Sequence, residues 1–229
     1  SERLEVPRNQ RFCSGGIVTV EQDKDPIVFD NLSFQILGPT PESLANLREA
    51  WLTWLQEQEE RILMGDALGA ERSVRAMDTS IPNISSIMLM VKAEGRRILL
   101  TGDGRSDDLE EGLQRAGYLD SDGRLHVDIL KLPNHGSKRN VTEDFLRRIT
   151  ADGYVISASG YHGHPSKNML QWLVTAAYDQ GRTINIVATN STRSLRELVE
   201  THNPQTYGYR LTIMPKGAHE FVLPDGLKV

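Results

Sequence analysis

Apolar positions in this chain fall into short runs that break at polar residues flanked by glycine or proline. These runs alternate with stretches of helical spacing. Leu32, Phe34 and Ile36 alternate on one face of a predicted strand over Leu32–Leu37, and Ile17–Val20 is predicted as a shorter strand. Gly38-Pro39-Thr40-Pro41 ends the longer strand, with Thr40 placed as an N-cap and Pro41 at the first helical position. Leu44, Leu47, Trp51, Trp54 and Leu55 then recur at helical spacing as far as Glu60. That pattern predicts a helix whose two tryptophans belong to the core. Residues 64–80 contain Gly65 and Gly69, mixed charge and no period, and are expected to form a mobile linker.

The pattern tightens after Ile84. Ile87, Leu89 and Val91 alternate, Glu94-Gly95-Arg96 reads as a turn, and Ile98–Leu100 is continuously apolar. A hairpin is predicted, its second strand covered on both faces. A helix over Asp107–Ala116 and a strand over Val127–Leu132 follow. Next comes a helix over Thr142–Ile149, with Thr142 as N-cap and acids in its first turn. Strands are predicted at Tyr154–Ser157 and Ile184–Ala188, helices at Pro165–Tyr178 and Ser194–Glu200, and a final strand pair at Tyr207–Ile213 and Glu220–Leu223. Strands alternating with helices predict a layered α/β domain with a parallel or mixed sheet.

Composition narrows the setting. The chain has 229 residues, 38% of them hydrophobic, which is ordinary for a protein with a sizeable core. A net charge of −5 gives no general attraction for nucleic acid, although a local basic groove remains compatible with it. The single cysteine, Cys13, excludes an internal disulfide and a cysteine zinc cluster. With no signal-like segment and no apolar run near a membrane span, the chain reads as cytoplasmic. It begins Ser1-Glu2-Arg3 without methionine, which fits a processed or trimmed boundary.

The chemistry concentrates at two predicted strand ends. Leu99-Leu100-Thr101-Gly102-Asp103 delivers an acid, and Lys131-Leu132-Pro133-Asn134-His135-Gly136-Ser137 delivers a histidine. An acid and a histidine brought together are what a borderline metal ion needs as ligands. The bland alternatives are a Gly-Asp-Gly turn and a loop histidine with no task.

The residues also carry a resemblance. Asn83-Ile84-Ser85-Ser86, the LLTGD string ending at Asp103, Val127-Asp128-Ile129-Leu130-Lys131, Asn134-His135-Gly136-Ser137 and Gly163-His164-Pro165 follow in an order and spacing that resemble the metallo-β-lactamase-fold hydrolases. The similarity is greatest to the hydrolase domain of bacterial DNA-uptake channel proteins, over about residues 80–170. That family's His-x-His-x-Asp-His motif lies in the amino-terminal half of its fold. This chain has six histidines, the first being His126, and no such motif.

The resemblance therefore implies the carboxy-terminal half of an αββα sandwich, a single region over residues 1–229. The amino-terminal half would be a separate or removed polypeptide. It implies Asp103 as a bridging metal ligand, His135 as a ligand of a second metal, and His164 as proton donor to a leaving oxygen or as a phosphate contact. Zn²⁺ or Mn²⁺ would be bound as a pair only when the missing half is present. Asn134 stands where the family usually has histidine, and asparagine supplies neither acid, base nor comparable ligand.

From the residues themselves, Lys131, Ser137, Lys138, Arg139, Asn140 and Lys167 are expected to form a positive polar rim for a phosphodiester, with Asn134 beside it; the alternative is a solvated loop. Three functions follow: a portion of a metal-dependent phosphodiesterase or nuclease, a degenerate metal-free binding or regulatory module, or a hydrolase of a thioester or lactam at the same site. Fold does not choose among substrates.

Overall fold

The computed structural model describes residues 19–21, 25–63, 83, 85–218 and 220. Among them eight strands form one sheet in chain order: β1 (Ile27–Phe29), β2 (Leu32–Gly38), β3 (Met88–Ala93), β4 (Arg96–Leu100), β5 (Leu125–Lys131), β6 (Ile149–Ile156), β7 (Ile184–Ala188) and β8 (Tyr209–Ile213). Strands β1 to β4 are antiparallel neighbours, and β4 to β8 are parallel. The fold is mixed α/β, as the alternation of patterns predicts. The expected linker over residues 64–80 lies outside the described residues.

Local chemistry explains most boundaries. Helix α1 (Pro41–Leu63) starts where Thr40 Oγ1 accepts a hydrogen bond from Ser43 N at 3.1 Å. The β3–β4 hairpin turns through Glu94 and Gly95, both at positive φ, the geometry a two-residue hairpin requires. Helix α2 (Ser106–Arg115) lies against β2 through Gly112, where a Cβ would sit 2.0 Å from the Leu37 carbonyl oxygen. Helix α3 (Glu143–Arg148) is capped by Thr142, whose Oγ1 accepts from Phe145 N at 3.1 Å. Helices α4 (Lys167–Asp179), α5 (Arg193–Thr201) and the single turn α6 (Pro204–Tyr207) follow along the chain.

The parallel strands lie in chain order, and a helix α2, α3, α4 or α5 falls between each successive pair. Crossovers between parallel strands share one hand, so consecutive crossovers in an unreversed order place their helices on one face. The packing agrees. Leu109 and Leu113 of α2, Phe145 of α3, Leu170 and Leu173 of α4 and Leu195 of α5 share one buried cluster with Leu99, Val127, Tyr154 and Ile186 of the sheet. The opposite face carries a smaller apolar group, in which Ile98, Val155 and Met214 pack against Ile129 and Val187.

Three expectations are corrected. Ile98–Leu100 is not covered equally on both faces, because Leu99 is fully buried while Leu100 is 38% exposed. Trp51 and Trp54 are not core residues. Trp51 is 46% exposed, and the two rings pack on each other at 5.1 Å on a largely exposed helix. Thr19 and Val20 are buried but lie in coil and turn rather than in a strand, the rest of the Ile17–Val20 prediction falling outside the described residues.

Candidate functional site

The carboxy-terminal ends of β4, β5, β6 and β7 open on one edge of the sheet, the edge at which parallel α/β sheets collect their chemistry. The first loop turns at Gly102, φ 53°, and brings Asp103 N within 3.1 Å of Ser86 Oγ, to which it donates. A Cβ at position 102 would lie 2.9 Å from Ser86 Cβ, so glycine permits that approach.

The second loop follows β5 through a short 3-10 turn, Pro133–Gly136. Asn134 and His135 both have positive φ, 41° and 58°. Consecutive left-handed residues cost about 1–3 kcal/mol each and persist only where surrounding bonds hold them. Here Asn134 N donates to the Gly102 carbonyl at 3.1 Å, and Asn134 Nδ2 donates to Asn140 Oδ1 at 3.0 Å. Asparagine tolerates this backbone region better than most residues, which gives Asn134 a local structural reason. Gly136, φ 82°, closes the loop onto α4, where a Cβ would meet Pro165 Cβ at 2.8 Å and Met169 Cε at 2.6 Å.

Asp103 and His135 meet. His135 Nε2 lies 3.7 Å from Asp103 Oδ1, the two side chains being 44% and 37% exposed. His135 Nδ1 lies 2.5 Å from the Ser157 carbonyl oxygen, which only accepts, so the neutral ring carries its proton on Nδ1. The Nε2 lone pair is then free to face the acid. Two donor atoms each about 2.1 Å from a shared cation sit roughly 3.4–3.7 Å apart. The pair therefore has the spacing and tautomer of two ligands of one ion. Among the described residues no group of three or more His, Cys, Asp or Glu side chains is placed to hold a metal, so the pair alone does not make a complete centre.

His164 and His135 line one cavity of about 350 Å³, with Ser157, Tyr161 and Asn190 in its wall. His164 Nδ1 is buried with no hydrogen-bond partner among the described residues. Burial holds its imidazole below the usual histidine value, and the neighbouring His135 and His162 add to the effect.

The expected rim separates into different parts. Lys138 and Arg139 are exposed beside the loop. Lys131 Nζ donates to the Leu132 carbonyl at 2.8 Å, and burial lowers its pKa against the opposing charge of Asp103. Lys167 is paired with Glu197 at 3.3 Å. Ser137 is 2% exposed, and its Oγ accepts from Arg139 N at 3.2 Å; it braces the loop rather than facing a ligand. Asn140 is likewise no rim residue. It is 8% exposed, donates to the carbonyls of Asp103 and Gly104 at 3.1 and 3.3 Å, and accepts from Asn134.

Sequence reasoning missed Ser157 and Asn190. Ser157 acts through its main-chain carbonyl, which leaves no signal in residue type. Asn190, which donates to the Ala158 carbonyl at 3.0 Å, follows an apolar strand just as Asp103 and His135 do, and that rule would have found it.

No family model matches the chain. It is 28% identical over 127 residues to ComE operon protein 3 of Bacillus subtilis strain 168, covering 54% of this chain and 15% of that protein. It is 31% identical over 107 residues to mouse microtubule-associated protein 1A, covering 44% of this chain and 4% of the relative, and 32% identical over 85 residues to the rat protein of the same name. The matched region is thus a small part of each relative, and about half of this chain is similar to proteins of two different kinds.

Proposed function

We propose that the chain is one portion of a metal-dependent hydrolase acting on a phosphodiester, with the site at Asp103, His135 and His164. The observation that carries the proposal is the His135 geometry: Nδ1 is tied to the Ser157 carbonyl and Nε2 is aimed at Asp103 Oδ1, 3.7 Å away. A bond that orients a histidine in this way is what metal ligation uses. The sequence resemblance and the match to ComE operon protein 3 support the same reading, in the branch related to DNA uptake.

Asp103 and His135 would supply two ligands to a Zn²⁺ or Mn²⁺ pair, and an amino-terminal half of the same fold would supply the remaining ones. The bound metal would supply an activated water and polarise the scissile group. The chain's own residues position the reaction. Asn140 holds the acid's loop against the histidine's, and Lys138 and Arg139 present positive charge beside it. His164 lines the same cavity as His135; its protonated ring would be the donor to a leaving oxygen, and the burial that lowers its pKa makes that proton easier to give up. On the sheet face opposite the helices Leu100 is exposed and Ile98 and Val155 are half-buried, and that is the surface the second half would cover.

A degenerate, metal-free binding module is the second reading. It is favoured by Asn134 in place of histidine and by the match to microtubule-associated protein 1A. Calorimetric titration with Zn²⁺ and Mn²⁺, beside bis-p-nitrophenyl phosphate hydrolysis, separates the two. The chain alone is expected to bind metal weakly and to hydrolyse near background. Addition of the amino-terminal half should raise both, and Asp103→Ala should abolish the gain. A reconstituted protein that carries no metal overturns the hydrolase reading in favour of the module. Metal without hydrolysis overturns the phosphodiester substrate alone.

A further inference from the structure

A second concavity lies at the opposite edge of the sheet, where β4, β5 and β6 begin and the chain turns into β7. Its volume is about 620 Å³, within the range of small-ligand sites. It is separated from Asp103 and His135 by the length of β5, about 20 Å for seven residues.

The lining is unusual for a chain of net charge −5, because Arg97, Arg124, Arg147, Arg148 and Arg182 all contribute, with Asp120 the one acid in the wall. These arginines divide into two groups. Arg147 pairs with Glu143 at 3.0 Å and with Asp179 at 2.9 Å, and Arg148 pairs with Glu110 and Asp144 at 2.8 Å each. Their charges are balanced and their side chains held. Arg97, Arg124 and Arg182 take part in none of the ion pairs among the described residues.

Arg182 is nevertheless held in place. Its Nε donates to Gln180 Oε1 at 2.9 Å and its Nη1 to the Ala151 carbonyl at 3.2 Å, while Gln180 Nε2 donates to the Arg147 carbonyl at 2.8 Å. In the wall itself Asp120 is the one carboxylate among these guanidinium groups, so an anion entering it meets a positive lining. Arg182 spends Nε and Nη1 on its bonds to Gln180 and Ala151 and its Nη2 is buried, so the guanidinium forks open to phosphate oxygens are those of Arg97 and Arg124. Two open guanidinium groups, on Arg97 and Arg124, match a ligand that carries two joined phosphates.

We propose that this cavity binds a small phosphoanion carrying a diphosphate group, at a site separate from the Asp103–His135 edge. The group has two sources, inorganic pyrophosphate or a nucleoside diphosphate.

Isothermal titration of the full chain at low salt tests the proposal. Pyrophosphate should bind at one site per chain, and the Arg97→Gln/Arg124→Gln variant should lose tenfold or more in affinity, about the loss of one charge-assisted bond. Arg124→Lys, which keeps the charge but not the fork, should also weaken binding. Asp103→Asn/His135→Gln should leave it unchanged. ADP binding with adenosine silent assigns a nucleotide, and binding of pyrophosphate alone assigns the inorganic anion. Absence of saturable binding, equal affinity in folded arginine variants, or loss in the Asp103→Asn/His135→Gln variant overturns the proposal.

Discussion

Asn140 donates its side-chain amide to the main-chain carbonyl of Asp103 at 3.1 Å, joining a loop after β5 to a loop after β4. The same carboxamide accepts from Asn134 at 3.0 Å, so one buried side chain spans both halves of the site.

Removal of this bridge should loosen the site before it unfolds the protein. Asn140→Ala leaves the Asp103 and Gly104 carbonyls and the Asn134 amide without their partner. Each unmet buried group costs about 1–3 kcal/mol, reduced where water reaches it. A urea midpoint corresponding to a loss of about 2 kcal/mol is expected. Amide exchange should rise at residues 102–104 and 134–137 and stay constant in β6 and β7. A uniform rise across the sheet would contradict the local role.

Gly136 and Gly95 separate backbone strain from collision. Both have positive φ, 82° and 78°, but a Cβ at 136 meets Pro165 and Met169 while one at 95 meets nothing within 4 Å. Gly95→Ala should cost about 1 kcal/mol from conformation alone. Gly136→Ala should cost at least about 2 kcal/mol, because α4 or the histidine loop must shift. Equal losses in thermal or urea melts would show that the approach of Gly136 to Pro165 does not constrain the loop.

The His135 tautomer is directly measurable. Nitrogen-detected NMR of the neutral ring should show the proton on Nδ1. A predominant Nε2–H form would break the relation between Ser157, His135 and Asp103 on which ligation depends. The assignment needs neither metal nor substrate.

Asp128 links stability to acidity. Burial alone would raise its carboxyl, but hydrogen bonds from Arg96 Nη1 and Arg97 N, both 2.8 Å, outweigh it and hold the group below the usual carboxylate value. A group depressed in the folded state stabilises fully above its unfolded pKa, about 3.9, and loses that stabilisation as pH falls through the folded value. Asp128→Asn should therefore destabilise the protein by a constant amount from pH 7 to about 5, and the gap to the parent should close below about pH 4. A gap that persists at pH 3 would assign the destabilisation to packing instead.

Much of the architecture is legible along the chain because its causes are local. The Thr40 and Thr142 caps, the Glu94-Gly95 turn and the apolar run of β7 each depend on a few adjacent residues, and each lies where the pattern predicts. The placement of Asp103 and His135 at one sheet edge is legible for a related reason, since a polar residue that follows an apolar strand marks such an edge; His164 lies instead in the loop between β6 and α4. Trp51 and Trp54 mislead because helical spacing identifies a face without saying what meets it, and on α1 that face is largely exposed. Ser137 and Asn140 mislead in the opposite direction: polar loop residues read as solvent-facing, yet both are buried braces.

What the residues dictated by themselves were elements, caps and the strand-end placement of Asp103 and His135, all set by neighbours a few positions away. Three-dimensional packing alone decided that Nε2 of His135 faces Asp103, because a carbonyl on another strand's loop, Ser157, chooses the tautomer. It also decided that five arginines from four separated stretches line one cavity. Contacts between groups distant in sequence depend on the register and hand of the crossovers, and no window along the chain contains them.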